Sequence, residues 1–172
     1  ARLLANRGYS VSVVCLQKPN TPDAQQNFRL WQNFGPTLTF PEPAAAQALE
    51  AASVVLDAIF GVGLQRSIVG LYADGIAAIN ASPAKVIGVD LPSGILADDS
   101  QILGTATRCE STVTFQVPKI GLWQQPGREQ AGEIHVVDVC IPPHWLTGEK
   151  STHLLTENFF RQALPKRPIT AH

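Results

Sequence analysis

Two aspartates end strand-like runs, and a glycine-bearing loop follows each of them. Asp57 ends the apolar run SVVLD, and Asp90 ends the apolar run AKVIGVD. A carboxylate at the end of a buried strand is costly unless it is hydrogen-bonded, paired or bound to a cation. The two carboxylates could share a cation with backbone carbonyls and Ser93, since hard cations prefer oxygen ligands, or one of them could act as a general acid or base. The spacing alone leaves both chemistries open.

The loop after Asp57 has the composition of an anion-binding turn. Gly61 and Gly63 allow the backbone to turn tightly and to expose its N–H groups, which can surround a phosphate. Arg66 follows three residues later and could add a charge-assisted contact. The alternative is that Asp57 caps the next turn while Arg66 is simply solvated.

A third candidate is Lys119, in the loop VPKIGLWQQPGRE. It follows a strand-like run, which places it near the same edge as Asp90 if the strands there are parallel. It could contact a ligand phosphate or only cover the cleft from solvent, and the sequence leaves its role open.

The composition excludes several classes of protein. With 45% hydrophobic residues, 16% charged residues and a net charge of -1, the 172-residue chain has no basic surface for nucleic acid or an anionic membrane. No apolar run approaches the roughly 20 residues that span a bilayer. Three widely separated cysteines indicate reduced thiols in a cytoplasmic protein rather than disulfides or a metal site. There is no G-x-G-x-x-G fingerprint after a strand, so a dehydrogenase of the ordinary dinucleotide-binding type is not supported. There is also no Walker A motif and no G-x-S-x-G elbow.

Strand-like and helix-like segments alternate along the chain. The strand-like runs include YSVSVVCL, TLTF, STVTFQV and EIHVVDV, and the helical ones include DAQQNFRLWQNFG, PAAAQALEAA and LYADGIAAINAS. Strands that are continuous apolar runs, alternating with helices, indicate a parallel sheet covered on both faces. Ligands of such sheets bind beyond the carboxyl ends of the strands, which is where both aspartates lie.

The two ends of the chain differ from its middle. ARLLANRGY has the pattern of a helix that is already under way and ends at Gly8, so we expect the domain to be truncated at its N-terminus. From residue 147 onward there is no strand pattern, and we expect a linker with one short helix around 157–164. The stretch PKIGLWQQPGREQAG is predicted to be a loop.

Three separate motifs, in order, resemble the YjeF N-terminal domain family, whose members are NAD(P)H-hydrate epimerases. They are LDAIFGVGLQRSIVGLYADGIAAIN, VIGVDLPSGI and TVTFQVPKIGLWQQPGREQAGEIHVVDVCIP. The resemblance implies a Rossmann-like three-layer α/β/α sandwich with a mostly parallel sheet. It also implies interconversion of the R and S hydrates of NADH and NADPH (NADHX and NADPHX) in metabolite repair.

The resemblance divides the roles of the candidate residues. Asp57 and Ser93 are implied to hold a potassium ion, and Asp90 is implied to be the catalytic acid/base that also contacts the substrate. The remaining implied substrate contacts form one continuous loop: Gly61, Val62, Gly63, Leu64, Gln65, Arg66 and Ser67. Leu96 stands where the family commonly carries an aspartate, which removes any role of a carboxylate there.

The resemblance also implies an organisation into domains. Residues 1–146 are expected to form the epimerase domain, often a homodimer, and 147–172 a linker to an absent C-terminal dehydratase domain of a bifunctional repair enzyme. In the family, an asparagine- and glycine-rich loop that precedes the first helix supplies a further potassium ligand, so we expect the 172 residues alone to be a weak catalyst. The alternative is a non-catalytic scaffold module of the same fold, because relatives occur in RNA decapping assemblies.

Overall fold

The computed structural model describes residues 1–146, 152 and 154–164, over which helices and strands alternate. The helices are α1 (Arg2–Asn6), α2 (Pro22–Trp31), α3 (Pro43–Ala51), α4 (Leu71–Ala81), α5 (Gly127–Ala131) and α6 (Glu157–Ala163). The strands are β1 (Val13–Cys15), β2 (Thr37–Thr39), β3 (Val54–Asp57), β4 (Lys85–Val89), β5 (Ser111–Phe115) and β6 (Glu133–Val137). Short 3₁₀ turns occupy Ile120–Leu122 and Pro143–Trp145.

All the described strands pair in parallel, in two separate sheets. β1 pairs with β2, while β3, β4, β5 and β6 form a four-stranded sheet in that order. The expected α/β class with parallel strands is therefore confirmed. Because the strands of the larger sheet are parallel and in chain order, their carboxyl ends lie along one edge.

Local sequence signals account for the starts of α2 and α3 and for the end of α1. Thr21 caps α2 by accepting a hydrogen bond from the N–H of Ala24 at 3.3 Å, and Pro22 occupies the first turn. Pro43 likewise opens α3. At the end of α1, Gly8 has a φ of +86°, which glycine adopts without the steric cost of a Cβ atom.

The segment between β5 and β6 corrects one prediction. The sequence indicated a loop there, but the structure contains the first 3₁₀ turn and the five-residue helix α5. A helix this short is below the length at which hydrophobic periodicity is visible in a sequence. It ends where the Arg128 guanidinium donates to the Gly132 carbonyl at 2.7 Å.

The core lies on one face of the four-stranded sheet. Its three clusters of buried side chains are Leu64, Ile68 and Ile76; Ile79, Val86 and Cys109; and Leu91, Leu122 and Ala131. Full burial of one such aliphatic side chain contributes about 1.5–3 kcal/mol. The side chain of Asp57 projects from the same face as Val86, because Asp57 pairs with Gly88, two residues beyond Val86 on β4.

The opposite face is more open at the edge strand β3. Val54 and Leu56 alternate with Val55 and Asp57, and they are 47% and 46% exposed. Within the described part of the chain, β3 pairs only with β4.

The remaining expectations concern the tail, the cysteines and the membrane. The short helix in the tail is present as α6, whereas the proline-rich end, 165–172, lies outside the described residues. Cys15, Cys109 and Cys140 are free thiols. Among the described helices, none has both the length and the apolar character needed to cross a bilayer.

Candidate active site

The two aspartates lie at the same edge of the sheet, as the sequence predicted. Asp57 is the last residue of β3, and it faces Gly88 on the neighbouring strand β4. Asp90 comes directly after β4, and its N–H donates to the Val113 carbonyl at 2.8 Å. Although they share the edge, the two carboxylates have different surroundings.

Asp57 and Ser93 form one buried unit, in which both side chains are 0% exposed. The Ser93 hydroxyl donates to Asp57 Oδ1 at 2.6 Å, and the Ser93 N–H donates to Oδ2 at 2.7 Å. The same hydroxyl oxygen accepts the N–H of Phe60 at 2.9 Å. The loop after β4 is thus tied to the loop after β3 through a single serine.

The alternative role of Asp57 as a turn cap is also partly realised. The N–H of Ile59 donates to Asp57 Oδ1 at 3.3 Å. This contact is longer than the two from Ser93, so Ser93 supplies the better hydrogen bonds to the carboxylate.

The unit offers oxygen donors that could hold a cation. No cationic side chain of the described residues forms an ion pair with Asp57, and hydrogen bonds alone leave its negative charge uncompensated. The carboxylate, the Ser93 hydroxyl and the Phe60 carbonyl, which lies 3.4 Å from that hydroxyl, are all hard oxygen donors. No group of three or more His, Cys, Asp or Glu side chains converges in the described parts of the chain, so the charge at the unit is that of one carboxylate.

Cys109 lies against this unit without chemical activity of its own. Burial, followed by the negative charge of Asp57, raises the pKa of its thiol to about 12. The reactive form of cysteine is the thiolate, which is scarce at neutral pH when the pKa is this high. Cys109 is therefore a buried thiol in the core, as the sequence indicated.

Glycine permits the loop after β4 to fold back over Asp57. Gly94 has a φ of +104°, and a Cβ atom there would collide with the Thr105 carbonyl oxygen. The Ser93 carbonyl meanwhile accepts the N–H of Thr107 at 2.9 Å. Ser93 is thus held from both sides in the position where it reaches Asp57.

The carboxylate of Asp90 is held at one of its two oxygens. Its Oδ1 accepts the Lys119 ammonium at 2.6 Å, the Thr114 hydroxyl at 3.1 Å and the Phe115 N–H at 3.3 Å. A Cβ atom placed on Gly61 would lie 3.8 Å from Oδ2. Oδ2 therefore faces the start of the glycine-rich loop.

The backbone of Asp90 is in a conformation that few residues adopt. Its φ is +72°, in the left-handed region, where a side chain other than that of glycine costs roughly 1–2 kcal/mol and where Asp and Asn are tolerated best. Such conformations persist where the surrounding structure fixes them, and they are frequent at functional sites. Here the fixing contacts are the β4–β5 ladder and the three donors to Oδ1.

The predicted loop from Gly61 to Ser67 runs from Asp90 to a neighbouring cleft of about 190 Å³. Gly61 lies at the Asp90 end, whereas Val62, Gly63 and Gln65 are exposed. The cleft is lined by Phe60, Leu64, Arg66, Ser67, Ile68, Val69 and Tyr72. Arg66 is exposed and forms no ion pair with any described residue, which leaves its guanidinium open to an anionic ligand.

Leu64 differs from the other residues of this loop. Its side chain is 8% exposed and packs with Ile68 and Ile76, so it forms the floor of the cleft. Tyr72 closes the cleft on one side by packing its ring 4.9 Å from that of Phe60, and its hydroxyl donates to Gln17 at 2.8 Å.

Thr114 and Tyr72 are site residues that the sequence did not indicate, whereas Lys119 was a candidate whose role the sequence left open. Thr112 and Thr114 alternate along β5, and both are fully buried; this pattern of two inward polar residues in the run STVTF was a detectable signal. The sequence placed Lys119 near the edge that carries Asp90, and the structure adds the direct ion pair between the two side chains. A second cleft, of about 250 Å³, lies beside α2 near Lys18 and Arg29, and none of the predicted site residues lines it.

The fold and the site together define an α/β domain of the Rossmann-like class whose ligand edge carries one fully buried and one partly exposed carboxylate. Residues 1–121 match the family model described as YjeF-related protein N-terminus. The chain therefore belongs to this family, and the resemblance inferred from its motifs is confirmed.

Similar proteins agree with this assignment. A Levilactobacillus brevis protein named NAD(P)H-hydrate epimerase is 41% identical over 143 residues, which cover 82% of the chain and 65% of that relative. A Moorella thermoacetica protein named bifunctional NAD(P)H-hydrate repair enzyme Nnr is 37% identical and covers 100% of the chain, which spans 34% of that relative. The crystal structure of the yeast protein ynu0 shares the fold with a TM-score of 0.65 at 18% identity, over 80% of this chain and 57% of the yeast one.

Proposed function

We propose that the protein is an NAD(P)H-hydrate epimerase, which interconverts the R and S hydrates of NADH and NADPH. The observation that carries the proposal is the asymmetry of Asp90, one of whose carboxylate oxygens is held by three donors while the other faces Gly61. A general base needs an oriented acceptor within hydrogen-bond reach of the proton that it removes. Relatives that carry the epimerase name support the assignment of the substrate.

The chemistry that this geometry serves is proton transfer at the hydrated ring. Epimerisation requires that the hydroxyl-bearing ring carbon lose its configuration and regain the opposite one. If the hydroxyl gives its proton to Oδ2 of Asp90, the bond from that carbon to the ring nitrogen can break, Oδ2 passes this proton to the nitrogen, and an open aldehyde forms. After the aldehyde rotates, the nitrogen attacks its carbon and returns the proton to Oδ2. Oδ2 then gives the proton to the former aldehyde oxygen, and the ring is closed with the other configuration.

The other site residues bind and orient the substrate. The exposed part of the loop from Gly61 to Ser67, with the guanidinium of Arg66, would bind the anionic nucleotide portion. Asp57 and Ser93 would hold a potassium ion, whose charge would balance that of the buried carboxylate. The bound ion would also stiffen the loops after β3 and β4, which Ser93 joins. The hard oxygen donors suit such a cation, and the choice of potassium rests on the family resemblance.

Three extensions of the proposal concern the whole protein. A dehydratase domain in the same polypeptide is supported by bifunctional relatives that align with nearly the entire chain. A homodimer is supported by the family resemblance alone, and a cytoplasmic location by the three free thiols. The boundary of the epimerase domain at residue 146 stays a prediction.

The activity can be measured on a single epimer. A purified R or S hydrate of NADH, incubated with the purified protein in potassium buffer, is expected to relax to the mixture of both epimers much faster than in buffer without protein. Chromatographic separation of the epimers over time gives the rate. If the protein does not accelerate relaxation of either NADHX or NADPHX, the proposed function is wrong.

A further inference from the structure

Lys119 has no free hydrogen-bonding capacity for a ligand. Its ammonium donates to Asp90 Oδ1 at 2.6 Å, to the Phe115 carbonyl at 2.7 Å and to the Thr114 hydroxyl at 2.9 Å. An ammonium group carries three N–H donors, so these contacts use all of them. A contact between Lys119 and a substrate phosphate would require one of the three to break.

The ion pair is sheltered and specific to one oxygen. The side chains of Lys119 and Asp90 are 14% and 17% exposed, whereas the Lys85–Glu110 pair at the other end of the sheet is 68% and 58% exposed. Screening by water makes an exposed ion pair weak. A partly buried ion pair with several further hydrogen bonds holds its two side chains in one orientation more strongly than an exposed pair does. Thr114 joins the two partners, because it donates to Asp90 while its oxygen accepts from Lys119.

We infer that Lys119 is a positioning residue for Asp90: its ammonium holds Oδ1, so that Oδ2 is the oxygen that exchanges a proton with the substrate. The inference rests on the proposed epimerase function and adds to it a division of roles between the two oxygens. It also replaces the two roles that the sequence left open for Lys119, a phosphate contact or a cover over the cleft.

The test compares substitutions of Lys119 by steady-state kinetics. Lys119→Met keeps most of the length of the side chain but removes the charge. We expect kcat to fall by about 10²-fold, with KM changed by less than about threefold, since misorientation affects the reacting geometry rather than binding. Lys119→Arg should recover part of the lost kcat, because charge is kept while the planar guanidinium fits three convergent acceptors poorly. Thr114→Val, which removes the hydroxyl without changing charge, should give a smaller loss. Lys85→Met is the matched control and should leave both constants unchanged.

Two outcomes would overturn the inference. One is a Lys119→Met protein that keeps wild-type kcat while KM rises about tenfold or more, because the lysine would then bind the substrate directly. The other is a wild-type kcat for both Lys119→Arg and Thr114→Val, which would show that the hydrogen bonds of Lys119 and Thr114 to Oδ1 do not affect the reaction. If Lys119→Met fails to fold, the loss of kcat in Thr114→Val, compared with the wild type, still tests whether the contacts at Oδ1 position Asp90.

A measurement without substrate separates this inference from the proposed function. An ammonium group with three protein acceptors exchanges its protons slowly, so Lys119 is expected to give a resolved ¹⁵Nζ–H signal in the free protein. This signal should shift in the Thr114→Val protein and stay unchanged in Lys85→Met. A wild-type protein that shows this signal but does not epimerise NADHX or NADPHX would refute only the proposed function. An active enzyme in which the Lys119 ammonium exchanges rapidly would refute only the positioning role of Lys119.

Discussion

Replacing Asp90 by asparagine is expected to reduce epimerisation by about 10²–10⁴-fold, the range that a positioned general acid or base contributes. The amide cannot accept a proton at the position of Oδ2, although its size matches that of the carboxylate. Asparagine also tolerates the left-handed backbone at this position, where φ is +72°. Its carbonyl oxygen can still accept from Lys119, so we expect the unfolding free energy to fall by no more than about 2 kcal/mol.

The matched control for Asp90→Asn is Asp98→Asn. Asp98 is an exposed aspartate in the loop that follows the same strand, and its replacement removes the same charge. Rates of epimerisation and thermal melting curves of both variants and the wild type would be measured together. An Asp90→Asn protein with wild-type turnover would show that Asp90 is not the acid/base, even if the protein is an epimerase.

Replacing Asp57 by asparagine is expected to abolish stabilisation by potassium. If Asp57 and Ser93 hold the ion, the wild-type melting temperature should rise with potassium chloride above its value in choline chloride of equal ionic strength. Binding to the folded state alone stabilises by roughly 2.7 kcal/mol at a concentration of 100 times Kd. Without the charge of Asp57 this gain should vanish, and the basal stability should fall by about 1–3 kcal/mol because the buried donors on Ser93 lose an acceptor.

Asp90→Asn serves as the second arm of this experiment. Asp90 is outside the Asp57–Ser93 unit, so its variant should keep the potassium-dependent gain in melting temperature while losing activity. Ser93→Ala should lose the gain in the same way as Asp57→Asn. The cation site is misassigned if Asp57→Asn retains the full gain, or if the wild type responds equally to potassium and choline.

The sequence located the edge of the sheet that carries the site because that inference depends on a robust rule. Apolar runs that alternate with helices give parallel strands, and parallel strands place their carboxyl ends together. Asp57 and Asp90 were thereby identified as neighbours although 32 residues separate them, counting from 58 to 89. Only the family motifs distinguished Asp57 as the expected cation ligand from Asp90 as the expected acid/base, since both residues simply end apolar runs in the sequence.

The hydrogen bonds of the site could not be read from the sequence. Lys119 reaches Asp90 only because the strand β5 lies beside β4 and the chain after Phe115 turns back, with Gln116 at a φ of +63°. The positive φ of Asp90 has no sequence signal, because aspartate is common in ordinary turns as well. The strands β1 and β2 are three residues each, shorter than the runs YSVSVVCL and TLTF that predicted them. Their length is set by how many residues pair in the separate two-stranded sheet rather than by the length of the strand-like run.

The central claim is that Oδ2 of Asp90 meets the hydrated ring of the substrate. A crystal structure of the protein with bound NADHX, in potassium buffer, would test this most directly. The account predicts the ring hydroxyl within roughly 3.2 Å of Oδ2, with Oδ1 still bound to Lys119. A ring hydroxyl on Oδ1, or a nicotinamide ring bound away from Asp90, would contradict it.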